Sequence, residues 1–469
     1  MKTKPISRRD FLRLTATAGA SALPIPQGIG ERKQPPGVKA ASESALVPEA
    51  VNIVIMYHSG ELTNAQVTQF NTDYAPVTLT RIDVNVDLYL AMYAAGNPPD
   101  LLRVQAPDIP WFLAHGILRD LQSYFDASTV LELTDLEAVN NYFKASDATG
   151  IGEGDLYGMA KDWAPDCTLW VNETVFDAAG VAPPNPASMP LSENDLVALC
   201  TAVTSTSAGC IGFDFNAGWI DRYWMMLAKA AGGSLYSSNF RRANIVGNSV
   251  VVDAIRYFYD LAADGLMTSP LNPSSSWSGP DFVSGRTAMI WQGYWFHGFA
   301  LGQSDAAFQQ AIADGKIKMY PNFTWKGARY DPTVAATGTI MSASTSYPDQ
   351  AWTVFEWFMG KEPAHDRATS GWGLPALKSM QSLVPKVGPL SSQAWATVQA
   401  ELPYSEDLLH YNPYLRGGEP NVPGQVFLDN WGAALNGSMT FDELLALIES
   451  ETNDVIGYKI RLPLLVKKA

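Results

Sequence analysis

The chain has 469 residues, of which 47% are hydrophobic, and its formal net charge is −15. This length exceeds what one hydrophobic core usually supports, so we expect two or three domains. A strongly negative surface repels phosphate backbones, which argues against a nucleic-acid partner.

Residues 1–45 have the features of an export signal followed by a spacer. The segment Ser7-Arg8-Arg9-Asp10-Phe11-Leu12-Arg13 resembles the S-R-R-x-F-L-K consensus of twin-arginine signals, and a weakly apolar stretch follows at 14–25. That stretch is much shorter than the ~20 apolar residues of a membrane span. The pattern predicts export by the twin-arginine route to the periplasm or the cell exterior, in association with the cell surface. The alternative interpretation is a basic disordered tail.

The cysteines and histidines predict neither a lipid anchor nor a metal site. The three cysteines are Cys167, Cys200 and Cys210, so no lipobox cysteine lies near the signal. Cys200 and Cys210 could form a disulfide that closes a short loop, or all three could be reduced thiols. The five histidines are scattered and show no metal-ligand spacing. We therefore expect no metal and no cofactor.

From residue 51 the chain alternates between strand and helix patterns. Apolar runs at 51–57 and 101–104 and an alternating segment at 77–86 predict three strands. Helical spacing at 62–74 and 86–95 predicts a helix in each interval between them. This order is typical of a parallel sheet with crossover helices.

The same alternation resumes after residue 162. A strand is predicted at 168–171. The clearest later helices are predicted at 173–179, 192–203, 224–231, 250–263, 349–359 and 441–456. Thr440 precedes the last of these, and Glu443 follows three residues later, which is the pattern of a capping box. The sequence thus predicts an α/β protein.

Seven short landmarks resemble those of one family, in order and at similar spacing. They lie at 94–100, 116–121, 156–159 with 171–176, 282–289, 292–295, 348–352 and 373–376. The first, Ala-Ala-Gly-Asn-Pro-Pro-Asp, is similar to the family pattern A-G-x-x-P-D, and the fourth, Phe-Val-Ser-Gly-Arg-Thr-Ala-Met, is similar to F-x-x-G-K-A-A-M. Together they resemble the extracellular solute-binding proteins of ABC importers, in the sugar-binding group that includes maltose-binding protein. The absence of a lipobox departs from most relatives in bacteria with a single membrane.

The resemblance implies a periplasmic-binding-protein-like α/β fold, with two lobes joined by a hinge around a central ligand cleft. Because relatives cross between lobes three times, we expect lobe 1 at 46–162 plus 337–385 and lobe 2 at 163–336 plus 386–469. The resemblance also implies a monomer that binds a carbohydrate and delivers it to the permease subunits of an ABC transporter in the membrane.

The candidate binding residues follow from the chemistry of sugars. A sugar has apolar C–H faces, which suit aromatic rings, and a rim of hydroxyls, which suit polar side chains. Among 14 tryptophans, the strongest candidates are Trp295, which follows a glycine turn at Gly293, and Trp163 and Trp372, which adjoin Asp162 and two glycines. The other candidates are Asp108, Gln105, His58 and Glu61 after predicted strands, Trp219, Asp221 and Arg222 before a predicted helix, Asp162 where the resemblance implies a crossing between lobes, and Tyr414, with Tyr411 weaker. For each of them the alternative role is packing or helix capping.

Two other functions stay open at this point. A secreted carbohydrate-active enzyme would need two carboxylates flanking the scissile bond. No motif places such a pair, and the family resemblance argues against an enzyme. A binding protein of the same fold for a polyamine or another solute would also suit tryptophans together with Asp108, Asp162 and Glu61.

Overall fold

The structure is a computed structural model that describes residues 50–206 and 209–461. The predicted signal and spacer at 1–45 lie outside these residues. The strands are β1 (Val51–Met56), β2 (Val77–Ile82), β3 (Leu101–Val104), β4 (Lys144–Ala145), β5 (Asp155–Leu156), β6 (Gly158–Ala160), β7 (Asp162–Trp163), β8 (Leu169–Asn172), β9 (Ile211–Phe215), β10 (Thr287–Trp291), β11 (Ile317–Tyr320), β12 (Gly338–Met341) and β13 (Leu374–Pro375).

The α-helices surround two principal sheets. In chain order they are α1 (Asn64–Asp73), α2 (Val86–Ala94), α3 (Ile109–Ala114), α4 (Gln122–Ala127), α5 (Glu173–Ala179), α6 (Glu193–Thr206), α7 (Ile220–Ala230), α8 (Ser249–Ala263), α9 (Ser278–Val283), α10 (Phe296–Leu301), α11 (Ala306–Ala313), α12 (Pro348–Gly360), α13 (Glu362–Ser370), α14 (Pro389–Glu401), α15 (Val422–Leu435) and α16 (Phe441–Arg461). Short 3₁₀ turns lie at Ala106–Asp108, Leu133–Asp135, Ala138–Phe143, Pro186–Ser188, Ala217–Trp219, Lys378–Leu383 and Leu402–Tyr404.

The first sheet has the strand order β2-β1-β3-β12-β6. Strand β1 runs parallel to β2 and β3, as the strand–helix alternation predicted. Strand β12 is antiparallel to β3 and β6, so the sheet is mixed and not purely parallel. Helices α1 and α12 pack against it. The sheet therefore combines the first part of the chain with a strand that arrives much later.

The second sheet has the order β11-β8-β10-β9. Strand β10 is parallel to β9, while β8 is antiparallel to both β10 and β11. Every residue of β8, β9 and β10 is buried, because helices such as α6, α9 and α14 cover the strands. A separate antiparallel ribbon pairs β7 with β13 and belongs to neither principal sheet.

Capping residues determine the residue at which some helices begin. Thr63 Oγ1 accepts from the backbone N–H of Gln66, and Gln66 Oε1 accepts from the backbone N–H of Thr63, at 3.2 and 2.9 Å. The predicted capping box of α16 is confirmed, because Thr440 and Glu443 exchange the same two bonds. These local signals were readable from sequence alone.

Several strands of the structure were not predicted from the sequence, and one predicted helix begins at a different residue. Strands β9, β10, β11 and β12 are short and mostly buried, so they lack the alternation that reveals a half-exposed strand. Helix α7 begins at Ile220, four residues before the predicted start, because the 3₁₀ turn capped by Asn216 continues directly into it.

The remaining open question about the cysteines is resolved by the structure. Cys167, Cys200 and Cys210 are all free thiols, and the first two are buried. Burial raises the pKa of each thiol, so they behave as small apolar side chains. Within 50–206 and 209–461, no helix combines the length and apolar character that crossing a membrane requires.

Candidate functional site

One cleft gathers residues from both principal sheets and from the β7–β13 ribbon. It has a volume of about 220 Å³, slightly below the ~300–1,000 Å³ of ordinary small-ligand pockets. Its lining consists of His58, Glu61, Arg103, Gln105, Asp162, Trp163, Ala164, Asp166, Asn216, Trp219, Trp295, Ala335, Ala336, Thr337, Arg367, Trp372 and Glu419. This set is called the cleft below.

The position of the cleft follows from the topology of the two sheets. His58 and Gln105 lie just after β1 and β3, and Asn216 and Trp295 lie just after β9 and β10. The carboxyl ends of parallel neighbours meet at one edge of a sheet, which is the usual ligand position in α/β proteins. The cleft lies where such edges of both sheets contribute residues.

Tryptophan rings form the apolar part of the cleft. The rings of Trp295 and Trp372 are nearly parallel, with planes 17° apart and centroids separated by 6.1 Å. Trp219 meets Trp295 edge to face at 6.4 Å. Trp163 is held from behind, because its Nε1 donates to the carbonyl of Pro375 at 3.2 Å.

Two of these indoles keep a hydrogen-bond donor without a partner. The Nε1 groups of Trp219 and Trp295 are buried and bond to no group in the part of the chain that the structure describes. Buried donors in native proteins are nearly always satisfied. Both donors border the cleft but are not exposed to it in this structure, and Trp224 and Trp325, outside the cleft, share this state.

Gly298 shapes the wall beside Trp295. It lies inside α10, and Trp295 is the residue that precedes this helix. A Cβ at Gly298 would lie 2.6 Å from Cδ1 of Trp372. Glycine is therefore needed here so that the Trp372 ring can pack closely, and not because the chain turns.

A network of five charged side chains forms the polar wall. Arg103 binds Glu61 through two bonds, Nε to Oε2 at 2.7 Å and Nη2 to Oε1 at 3.2 Å. Lys161 Nζ lies 3.4 Å from Glu61 and 2.8 Å from Asp162. Arg367 Nε donates to Asp162 Oδ2 at 2.9 Å. Three cations are thus shared between two carboxylates.

The network fixes the charge of Glu61. Burial alone would raise the pKa of this carboxyl, but Lys161 and Arg103 outweigh that effect and hold the pKa well below its usual range. Burial and Arg103 lower the pKa of nearby His58, so its imidazole is neutral at pH 7. Removing one member would leave an uncompensated buried charge, which is costly.

Asp166 supplies a second kind of carboxyl. Its Oδ2 accepts from the backbone N–H groups of Val334 and Ala335 at 2.9 and 3.1 Å. Burial raises its pKa to about 7, against the opposing effect of these two bonds. Its Oδ1 lies so close to Gly293 that a Cβ there would collide with it. Asp166 is therefore rigidly held and lies at the boundary of ionisation at neutral pH.

Eight of the twelve sequence-predicted binding residues line the cleft. They are His58, Glu61, Gln105, Asp162, Trp163, Trp219, Trp295 and Trp372. Six of them were chosen as polar or aromatic residues after a predicted strand or near a glycine, and Asp162 and Trp163 were chosen because they lie at the expected crossing between lobes.

Four predicted residues lie outside the cleft lining because other protein groups engage them. Asp108 accepts from the backbone N–H of Gln105 at 3.0 Å, and Asp221 accepts from the N–H of Asn421 at 3.3 Å. Arg222 donates to three protein oxygens, as described below. The ring of Tyr414 packs against the main core.

The weaker candidate, Tyr411, also bonds to another part of the protein. It is buried, and its hydroxyl donates to the carbonyl of Val334 at 2.9 Å. It therefore supports the segment that leads into β12.

The structure adds cleft residues that sequence reasoning missed. They are Arg103, Ala164, Asp166, Asn216, Ala335, Ala336, Thr337, Arg367 and Glu419. Arg367 belongs to an amphipathic helix and resembles an ordinary solvated residue in sequence. Asn216 follows β9, a strand that was not recognised. For Glu419 the sequence did contain a signal, because the Gly417-Gly418 pair immediately before it is typical of a turn.

The cleft does not resemble a metal centre. Across 50–206 and 209–461, no group of three or more His, Cys, Asp or Glu side chains is arranged to hold a metal ion. Glu61 instead forms ion pairs with Arg103 and Lys161.

Comparison with solved structures shows the same fold in several bacterial proteins. An ABC substrate-binding protein from Listeria monocytogenes in complex with cycloalternan is 17% identical, with a TM-score of 0.71, covering 87% of this chain and 98% of that one. The sugar-binding protein MalE from Xanthomonas citri is 14% identical, with a TM-score of 0.62 and coverage of 87% and 98%. An ABC transporter-associated binding protein from B. animalis subsp. lactis, in complex with β-1,6-galactobiose, is 15% identical, with a TM-score of 0.65 and coverage of 88% and 98%.

These likenesses confirm the two-lobed periplasmic-binding-protein fold expected from the sequence. No curated protein matches the chain in sequence. The family model for bacterial extracellular solute-binding proteins matches residues 61–364, which is more than half of the chain. The resemblance found in the short sequence landmarks is thereby confirmed, and the chain belongs to the bacterial extracellular solute-binding protein family.

Proposed function

We propose that this protein is an extracytoplasmic receptor that captures a carbohydrate between its lobes and delivers it to an ABC transporter. The observation that carries this proposal is the cleft itself, in which four indoles face a wall of charged and amide side chains. Indole faces suit the C–H surface of a sugar, and the polar wall suits its hydroxyls. Closure of two lobes around the ligand would complete the site.

The bound ligands of structural neighbours support a carbohydrate. Those neighbours were solved with cycloalternan, with β-1,6-galactobiose and, in a further protein, with mannotriose. Family membership and these neighbours also support a binding protein without catalytic activity. We expect His58, Glu61, Gln105, Asp162 and the four indoles to contact the ligand.

We further propose lobe 1 at 46–162 plus 337–385 and lobe 2 at 163–336 plus 386–469. The strand content of the two sheets supports this division, because β12 joins the first sheet while α14 packs against β11 of the second. The β7–β13 ribbon then lies where the chain crosses between lobes. We also propose export by the twin-arginine route, surface association and a monomeric receptor.

A thermal-shift screen tests the proposal. Neutral mono-, di- and oligosaccharides are compared with spermidine as a non-sugar cation. A ligand at 100 times its dissociation constant stabilises a protein by about 2.7 kcal/mol, which is readily detected. Stabilisation by a sugar, with the sugar recovered unchanged after incubation, supports a non-catalytic receptor. Stabilisation by spermidine alone, or turnover of the sugar, contradicts it.

A further inference from the structure

The cleft is small, and contacts between distant parts of the chain bound it on two sides. Next to Trp372, the backbone N–H of Gly298 donates to the carbonyl of Gly371 at 3.0 Å. At the other side, Arg222 Nη1 donates to Gln105 Oε1 at 2.8 Å. The space between has a volume of about 220 Å³, whereas pockets for drug-sized ligands begin at about 300 Å³. A site of this size suits one sugar ring better than a chain of several.

A second and larger cavity lies on the other side of the segments 161–168 and 332–337, which run between the two principal sheets. Its volume is about 500 Å³, and Val139, Tyr142 and Gln399 are among its lining residues. Thr333 lines this second cavity, whereas residues 335–337 line the cleft. The crossing segments therefore separate the two spaces.

Trp163 completes this separation. Among the residues that line the two cavities, it alone belongs to both linings. Its backbone is fixed by strand pairing with Leu374, and its Nε1 donates to the carbonyl of Pro375 at 3.2 Å. A Cβ at Gly373 would lie 3.0 Å from the carbonyl oxygen of Trp163, so the β7–β13 ribbon is closely packed here. The indole is thus a fixed partition between the cleft and the second cavity.

The partition has a consequence for the length of the ligand. With the indole of Trp163 in place, a further sugar unit that extends from the cleft in this direction meets the ring. Without the ring, the cleft and the second cavity become one space, whose added walls include the aromatic ring of Tyr142 and the amide of Gln399. Such groups suit sugar faces and hydroxyls. A clash that excludes the wrong ligand is an effective source of specificity.

We propose that Trp163 is the wall that limits the ligand to a single sugar unit, so that the receptor captures a monosaccharide in preference to longer chains. This inference rests on the proposed function and adds the size of the ligand. Trp163 contacts the sugar and, by its position between the two cavities, determines where the sugar ends.

Isothermal titration calorimetry of the full protein tests the preference without any substitution. The probes are glucose, galactose, mannose and xylose, each as the monosaccharide and as its β-1,4-linked disaccharide and trisaccharide. In every series that binds, we expect the monosaccharide to bind about tenfold or more tightly than the trisaccharide.

Three variants then test whether Trp163 sets this preference. Trp163→Ala should narrow the ratio between monosaccharide and trisaccharide affinity about tenfold, because the second cavity becomes accessible. Trp163→Phe retains a ring at the partition and should keep the preference. Trp219→Ala is the matched control, since this indole lines the cleft but not the second cavity. It should weaken binding of all lengths by a similar factor. Circular dichroism establishes that each variant is folded.

The outcomes separate this inference from the proposed function. If a trisaccharide binds as tightly as its monosaccharide, the size limit is overturned and the receptor stands. If the monosaccharide is preferred but Trp163→Ala leaves the ratio unchanged, or Trp219→Ala changes it equally, Trp163 is not the wall. If no probe of any length binds, both proposals are contradicted. A strong monosaccharide preference that Trp163→Ala relaxes and Trp163→Phe preserves supports the inference.

Discussion

Arg222 Nη1 donates to Gln105 Oε1 at 2.8 Å, and this bond joins α7, beside the second sheet, to the end of β3 in the first. The same guanidinium donates to the carbonyls of Val334 and Gly418 at 3.2 and 2.8 Å. Arg222 is 1% exposed, and its charge is met by neutral oxygens. Arg222 therefore connects three parts of the chain: the end of β3 at Gln105, the segment before β12 at Val334, and the loop at Gly418.

Arg222→Met should reduce the free energy of unfolding by about 2–4 kcal/mol, because three buried acceptors lose a charged donor. Urea denaturation, with the slope m compared between variants, measures this loss. Arg256→Met, which changes an arginine on the neighbouring helix α8, is the control and should cost clearly less. A loss below about 0.5 kcal/mol for Arg222→Met would show that these bonds contribute little.

Trp295→Ala should weaken binding of the cognate sugar by about 2–4 kcal/mol, the range of an aromatic hot spot. The ring contacts Trp219 and Trp372, so its loss removes the centre of the apolar wall. Titration calorimetry measures the affinity. Trp395→Ala is the matched control, since Trp395 is a half-buried indole on α14 outside the cleft. Unchanged affinity in Trp295→Ala would assign that ring to packing alone.

Gly298→Ala should weaken sugar binding about tenfold, or about 1.4 kcal/mol. The added methyl group would displace the Trp372 ring, although alanine favours the helix by about 0.5–1 kcal/mol. The new Cβ would also lie 2.8 Å from the backbone nitrogen of Trp372, so we expect stability to fall together with affinity when thermal unfolding and calorimetry are compared. Gly302→Ala is the control at the end of α10, where the nearest contact of a new Cβ is 3.4 Å. Equal affinities in both variants would contradict the packing role of Gly298.

Asp166→Asn should change how stability depends on pH. The folded carboxyl has a pKa of about 7, whereas an unfolded aspartate has a pKa of about 3.9. Between these values the folded state binds more protons, so this group makes the native protein less stable as pH rises from about 4 to about 7. The stability advantage of the native protein over Asp166→Asn should therefore fall, by at most about 1.4 kcal/mol per pH unit.

Urea unfolding of both proteins at pH 5, 6, 7 and 8 checks this dependence. Taking the difference between the two proteins cancels contributions from buried carboxyls that Asp166 does not influence, such as Asp214. A difference that stays constant, or that grows with pH, would show that Asp166 is ionised throughout. Above about pH 7 the difference should level off.

The sequence predicted the fold better than it predicted the polar wall. Residues after recognised strands, such as His58 and Gln105, were found because strand ends meet at one edge. Arg222 was expected to contact ligand, and nothing in its local sequence revealed that Gln105 and Gly418, far along the chain, would occupy it. Arg367 was missed for the converse reason, since its partner Asp162 is remote in sequence.

The strands that were missed share one physical property. Strands β9 and β10 are buried on both faces, so their apolar runs lack the alternation of a half-exposed strand. Because β9 was not recognised, Asn216 at its end was not considered as a cleft residue. The omission of Asn216 therefore followed directly from a gap in the predicted sheet.

The grouping of Trp163, Trp219, Trp295 and Trp372 around one cleft places four fluorescent side chains next to the ligand. Trp219 and Trp295 have a buried N–H group without a hydrogen-bond partner, and Trp372 lies under the guanidinium of Arg367. A ligand that displaces water from these rings changes the polarity around several emitters at once. Intrinsic fluorescence of the unlabelled protein should therefore follow ligand capture in real time, without an attached dye.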